Sequence, residues 1–350
     1  MSDNFLKKKV ENIEVKKRKL SELIDLMAET GFQGKKLGEV SKIWEKMIND
    51  PEATIIMGLA GSMSTTGQAK IINWLIENRF IDILVSTGAN ISEDIILGMG
   101  YSYWQGSHLA NDANLLKNNI NRYYDVYGED SEYSEMIRLI AEFYKTCDST
   151  KNFSSRSLLK NFGEWLNEKN ISCIVSKAAK YGVPIFCPAI VDSPYGDATL
   201  LAQREYKKNI VIDQVLDFTE WIKLGENFKK SGVIYIGGGV PKDFIQISAV
   251  SSSLLYENSK QNKRGNGQYR TKGGEYFYPH SYAIQITTDS PQWGGLSGCT
   301  FEEAISWGKQ MEKGDNAICF CDATIALPLV SHYLEDKKMA FCYGEDGEFI

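Results

Sequence analysis

Six short apolar or β-branched runs recur along the chain: "ATIIMGL" from residue 53, "IDILVST" from 81, "PIFCPAIV" from 184, "GVIYIGG" from 232, "YAIQITT" from 282 and "AICFCDA" from 317. Several are apolar almost throughout, as strands covered on both faces must be. Between them lie segments with apolar residues at helical spacing, such as "GQAKIINWLIENR" and "DFIQISAVSSSLLYE". Strands alternating with helices predict right-handed βαβ units, and so an α/β fold built on an open, mainly parallel sheet flanked by helices. A chain of 350 residues, 43% of them hydrophobic, can bury the core of one large domain of this kind.

Two regions fall outside this alternation. The opening thirty residues read as a highly charged helix with an apolar stripe at Val10, Ile13, Leu20, Leu23, Ile24 and Met27, an N-terminal helical arm over 1–30 ahead of a catalytic domain over 31–350. Residues 101–170 are polar and aromatic without clear strands, and read as a helical insertion.

Charge and cysteine usage narrow the function classes. A net charge of −6 argues against a general nucleic-acid binder, whose phosphate contacts need a basic field. No apolar run approaches the roughly 20 residues that span a bilayer, so no membrane association is expected. The start, "MSDNFLKKKVENIEVKKRKL", carries charges where a signal peptide needs an apolar stretch. Seven cysteines, an odd number without framework spacing, read as reduced, buried thiols of a cytoplasmic protein. Cys319 and Cys321 are expected on one strand with both thiols on one face. Three histidines without ligand spacing give no reason to expect a metal.

In open α/β sheets, ligands bind outside the carboxyl ends of the strands, which directs attention to the loops there. Gly237, Gly238 and Gly239 follow "VIYI" and precede a helix, where bare backbone amides can approach a pyrophosphate. A small polar loop, Gly61 to Gly67, follows "TIIMGLA"; Thr87, Gly88 and Ala89 follow "ILVS", with Glu93 and Asp94 soon after. Asp192 and Asp197 follow "CPAI", and Asp289 with a Gly294-Gly295 turn follows "QITT". Gly/Ser/Thr loops suit a dinucleotide, and carboxylates suit ribose hydroxyls or a polyamine.

The stretch "EEAISWGKQ", residues 302–310, poses a separate question. Thr300 and Glu303 have capping-box spacing for a helix start, yet a tryptophan, a glycine and a lysine follow in succession. Glycine inside a helix costs about 1 kcal/mol relative to alanine, so Gly308 implies either a close approach to the backbone or a bent helix end. Lys309 reads either as a solvated surface lysine beside a core tryptophan, or as a partly desolvated amine held against an aromatic wall and available as a nucleophile.

Together these residues resemble the deoxyhypusine synthase family. The resemblance is carried, in order over roughly residues 30–335, by "GFQG", "STGANISEDI", "INR", "CPAIVDSPYGD", "YIGGGVPK" and "EEAISWGK". It implies a Rossmann-like domain, NAD as cofactor, spermidine or a related polyamine as substrate, and a homotetramer with active sites at dimer interfaces. In that family spermidine is oxidised, 1,3-diaminopropane leaves, and a lysine in Ser-Trp-Gly-Lys holds the 4-aminobutyl group as a Schiff base until an acceptor amine takes it. Lys309 matches that lysine, and Trp307 the wall beside the substrate. Positions matching the NAD site are Gly61, Ser62, Met63, Ser64, Thr65, Thr87, Gly88, Ala89, Glu93, Asp192, Gly238, Thr288, Asp289, Asp322 and Ala323. Those matching the polyamine site are Ser92, Glu93, Asp197, Asp243, Gly294, Gly295, Leu296, Glu303, Trp307 and Lys309.

Three positions depart from the family pattern. Asp243 stands just past the lysine of "GGGVPK", where the best-known members have a histidine; a carboxylate there can serve as base or ammonium anchor, so Asp243 joins Lys309 as a catalytic candidate. Leu296 replaces an acid that grips one polyamine end, and Trp293 replaces a cofactor-side aspartate. Losing such a charge-assisted contact is worth about 1.5–3 kcal/mol. These changes bear on which amines are donor and acceptor, and the acceptor stays open between a translation-factor lysine and a free diamine such as putrescine. Two other readings remain: an NAD-dependent polyamine dehydrogenase, and a non-catalytic NAD or polyamine binder.

Overall fold

The computed structural model describes residues 6–256 and 279–337. Its centre is a six-stranded, wholly parallel sheet of β1 (Ala53–Leu59), β2 (Ile83–Ser86), β3 (Ile185–Phe186), β4 (Lys230–Ile236), β5 (His280–Thr287) and β6 (Gln310–Phe320). The spatial order is β6-β5-β4-β1-β2-β3, the doubly wound arrangement in which the chain departs in opposite directions from its two central strands.

The period-2 geometry of a strand explains why the apolar runs are continuous. Ile55, Met57 and Leu59 of β1 join Ile234, Ile236, Ile284 and Ile286 in one core, packed with Trp44 and Met47 of the helix Phe32–Ile48 and with Ile72 and Leu75 of Ala69–Glu77. Ile56, Val233, Tyr235 and Ala283 point the other way, into a second core with Trp221, Ile245 and Phe301. Each such buried side chain contributes about 1.5–3 kcal/mol. Neither face tolerates polar residues freely, which makes Gln285, fully buried in β5, a conspicuous exception.

Four expectations need correction. The opening segment is not one helix: only Leu20–Met27 is helical, while residues 6–19 have neither helix nor strand. Lysines crowd one another there, and Val10 and Ile13 of the supposed stripe are exposed. The short helix is also no free arm, since Ile24 is fully buried, the Ser21 amide donates to Asp336 and Tyr333 donates to Asp25. The insertion is not purely helical either. Besides Asp130–Thr146 and Ser155–Glu168, it holds an antiparallel sheet of Trp104–Gln105, Ile120–Tyr123 and Val126–Glu129. The hairpin between the last two turns at Tyr124, which has φ 57°, without the usual Asn-Gly signature. The run "PIFCPAIV" yields only the two residues of β3, since Pro184 and Pro188 cannot donate to a ladder. Finally, β6 ends at Phe320, so Cys319 is buried in the strand while Cys321 lies beyond it, half-buried. The six cysteines within the described residues are free, and Cys342 lies outside them.

Candidate active site

The topological switch point lies between β1 and β4, which run in register from Ala53 and Lys230 to Leu59 and Ile236. Outside their carboxyl ends stand the loop after β1 and the glycine turn after β4, the edge at which ligands of such sheets bind. Asn90, fully buried on the helix Gly88–Gly98, organises the first loop: its amide donates to the Gly61 carbonyl (2.6 Å) and its oxygen accepts from the Met63 amide (2.9 Å). The Ser64 hydroxyl donates back to the Asn90 carbonyl (2.6 Å). Met63 and Ser64 therefore shape the loop, whereas Ser62 and Thr65, with Asp322 and Thr324, line one side of a cavity of about 820 Å³ whose other wall is the insertion, from Tyr103 to Gly106 and from Tyr123 to Val126. Sequence reasoning left Asn90 unassigned, although it sits inside a quoted motif; an asparagine after a Gly-Ala pair carries no signal of a tertiary role.

The remaining nucleotide candidates also gather at this edge. Gly237 and Gly239 have φ of 71° and 59°, and a Cβ on Gly238 would lie 2.5 Å from the Ser297 Cα. Thr87 precedes its helix, and a Cβ on Gly88 would meet the Ser193 hydroxyl. Ala89 and Ala323 are half-buried, while Thr288, Asp289, Asp192 and Asp322 are exposed. One Asp322 oxygen accepts from Thr324, leaving the other for a ligand. The cavity itself takes hydroxyls from Ser62, Thr65 and Thr324 and a carboxylate from Asp322, polar groups of the kind that hold a nucleotide.

The helix Gly88–Gly98 also carries an acidic cluster. Glu93 and Asp94 are 5% and 1% exposed, and each has one carboxylate oxygen without a hydrogen-bond partner. Burial raises both carboxyls to about 7, against the pull of the Ile174 amide on Asp94. Tyr103, Tyr123 and Tyr133 of the insertion surround Glu93, and Tyr133 also feels the exposed Asp197. The Ser92 hydroxyl is tied to the Gly88 carbonyl. Since the folded chain keeps protons that the unfolded chain has released, the contribution of these carboxyls is full below about pH 4 and is lost as pH rises through 7. Glu93→Gln is therefore expected to gain stability relative to the unmodified protein between pH 5 and pH 8, by on the order of 2–3 kcal/mol. Urea midpoints that differ by the same amount at both pH values would refute this.

The lysine pocket is built by the β5–β6 crossover. Thr300 caps the helix Phe301–Ser306 by accepting from the Glu303 amide (3.2 Å). Gly308 is not interior to that helix. With φ 77° it is the left-handed residue that ends it: its amide donates to Ile305, and that of Lys309 reaches back to Ala304, both at 3.0 Å. These two bonds make a Schellman motif, which only glycine enters without cost. Lys309 thus emerges directly before β6, its carbonyl accepting from the His280 amide (3.1 Å). Its side chain is 14% exposed, with Nζ 3.5 Å from Asp243 Oδ1 and 5.3 Å from the Trp307 ring centroid. Gly294, Gly295, Leu296, Glu303, Trp307 and Lys309 line a cavity of about 240 Å³. Asp243, Gly294, Gly295, Leu296, Glu303, Trp307 and Lys309 are thus brought together, whereas Ser92, Glu93 and Asp197 do not line this cavity. The lysine cavity shares no lining residue with the larger one.

Comparison with known proteins gives a consistent result. The family model for deoxyhypusine synthase matches residues 22–334. A protein named probable deoxyhypusine synthase 2 from Archaeoglobus fulgidus is 46% identical over 308 residues, covering 88% of this chain and 95% of that one. A deoxyhypusine synthase-like protein from Chlorobaculum tepidum is 34% identical, covering 95% and 91%. Among solved structures, a putative deoxyhypusine synthase from Entamoeba histolytica superposes with TM-score 0.59 at 19% identity, covering 89% of this chain and 91% of that one, a likeness of fold.

Proposed function

The chain belongs to the deoxyhypusine synthase family, and from that membership we propose that it transfers the 4-aminobutyl group of spermidine to an acceptor amine through an imine on Lys309. The observation that carries this reading is the lysine pocket: an amine with little exposure, a carboxylate 3.5 Å away and an indole beside it. Asp243 can take the proton that Lys309 must lose before its amine attacks. When that nitrogen adds to the oxidised substrate, the carbon–nitrogen bond to the departing amine breaks and 1,3-diaminopropane leaves with the proton. The acceptor amine repeats the exchange, forming its own bond to the carbon and releasing Lys309. Glu303, lining the same cavity, anchors the distal ammonium, and Trp307 keeps water from the imine.

NAD, when bound, supplies the oxidation of spermidine and the reduction of the final imine. Ser62, Thr65 and Asp322, which line the larger cavity, would hold it, with Gly238 and Asp289 at the neighbouring strand ends. Leu296 is an apolar wall where an ammonium partner would otherwise stand, and the acceptor is either a translation-factor lysine or a free diamine such as putrescine. Incubation with spermidine and NAD, with and without putrescine, followed by mass analysis of the polyamines, should yield 1,3-diaminopropane and no net NADH when putrescine is present. Stoichiometric free NADH would favour a dehydrogenase, and no turnover of any polyamine would end the catalytic reading.

The homotetramer with active sites at dimer interfaces is likewise taken from family membership. Light scattering that finds only active monomer at micromolar concentration would rule this out.

A further inference from the structure

Lys242 lies in the first turns of the helix Gly239–Tyr256 and is fully buried, yet among the described residues no carboxylate approaches within ion-pair distance of it. Its Nζ donates to Gln285 Oε1 at 2.9 Å and to the Cys299 carbonyl at 2.6 Å, and stands 5.7 and 5.9 Å from the ring centroids of Tyr235 and Phe301. Gln285 in turn donates to the carbonyls of Gly237 and Ser297, both at 2.7 Å. The Ser297 hydroxyl accepts from the Gly239 amide at 3.1 Å. Five hydrogen bonds thus lock the glycine turn, strand β5 and the segment 297–299 to one another. Burying an ammonium without a counterion is costly, and a methionine would fill the same space without that cost. Burial accordingly lowers the Lys242 amine to about 8.

The place of the lock suggests its use. Phe301–Ser306 has six residues, too few for a helix to hold its own position. Its start is fixed by Thr300 and by the Cys299 carbonyl under Lys242; its end delivers Trp307 and Lys309. We propose that Lys242, through Gln285, is a positioning residue for the transfer reaction, fixing the entry of this helix so that Glu303, Trp307 and Lys309 keep one geometry relative to the glycine turn. The role rests on the aminobutyl-transfer reading, while the lock itself does not.

The test compares the unmodified protein with Lys242→Met. Misplacement of reacting groups by about 1 Å can cost about a hundredfold in rate. Borohydride trapping of the Lys309 adduct, with saturating spermidine and NAD, should accordingly slow by about ten- to a hundredfold in the variant, with KM for spermidine moving by less than about threefold. Amide hydrogen exchange over residues 296–309 should rise at least about tenfold, while the helix Ala69–Glu77 exchanges as before. Unchanged exchange and trapping would overturn the proposal, and so would faster exchange throughout the domain with trapping reduced only by the unfolded fraction. Should Lys242→Met fail to fold, Ser297→Ala removes one half-buried bond of the lock; slowed trapping at unchanged Tm supports the proposal, and trapping at the unmodified rate overturns it. If the unmodified protein traps no adduct, the transfer reading fails, and the exchange comparison alone then decides whether Lys242 holds the helix entry.

Discussion

Lys309→Ala should give no borohydride-trapped adduct on the peptide containing "SWGK", and transfer should fall by at least about a thousandfold. The nitrogen that would carry the aminobutyl group is absent, and among the described residues no other lysine lines that cavity. Lys309→Arg should fail as completely, because a guanidinium stays protonated and cannot condense to an imine. It keeps the charge near Asp243 and the stacking on Trp307, so it separates covalent chemistry from simple positioning. NAD binding should survive both changes, since the residues lining the larger cavity lie outside the lysine cavity. Transfer by Lys309→Arg at the unmodified rate would leave the lysine as an orienting charge, and the imine mechanism would have to be abandoned.

The second large effect is expected at the switch point. In Gly238→Ala the new methyl would meet the Ser297 Cα at 2.5 Å, a backbone atom that no side-chain rotation can move aside. The glycine turn and the segment 297–299 must separate, at about 1–3 kcal/mol for overpacking of this kind. Because the same contact borders both the nucleotide turn and the helix that ends at Lys309, NAD affinity and imine trapping should fall together. Gly31→Ala is the matched control, with φ −131° and no atom within 4 Å of the added methyl. A Gly238→Ala protein with unaltered Tm and NAD titration would contradict the packing described here.

The alternation of runs and helices was enough to read the sheet, because strands covered on both faces cannot hide their composition. Ile55, Ile56 and Met57 belong to two different cores, and only a continuous apolar run serves both. The insertion's sheet was illegible for the opposite reason: "WQ", "INRY" and "VYGE" are short and largely half-exposed, so neither alternation nor run length marks them. Among the candidate residues, those on loops after strands owe their candidacy to position, and Lys309 to its neighbours. Asn90 and Lys242 were not legible, since their roles consist of bonds to backbone atoms distant in sequence. Gln285 offered a clue, a polar side chain within an apolar run.

The Schellman turn at Gly308 also bears on how relatives of this chain can differ in length. From the cap at Thr300 to the turn at Gly308 the chain measures out a fixed angle, and one inserted residue would rotate Glu303 by about 100° around the helix relative to Lys309. Gain or loss of residues in that interval would therefore turn the anchoring carboxylate away from the amine while leaving every residue type intact. Just downstream, the pairing of β5 with β6 jumps from Gln310 opposite His280 to Asp315 opposite Tyr282, so residues 311–314 already lie outside the ladder. Length differences can collect there without disturbing the angle, much as a slack loop protects a taut one.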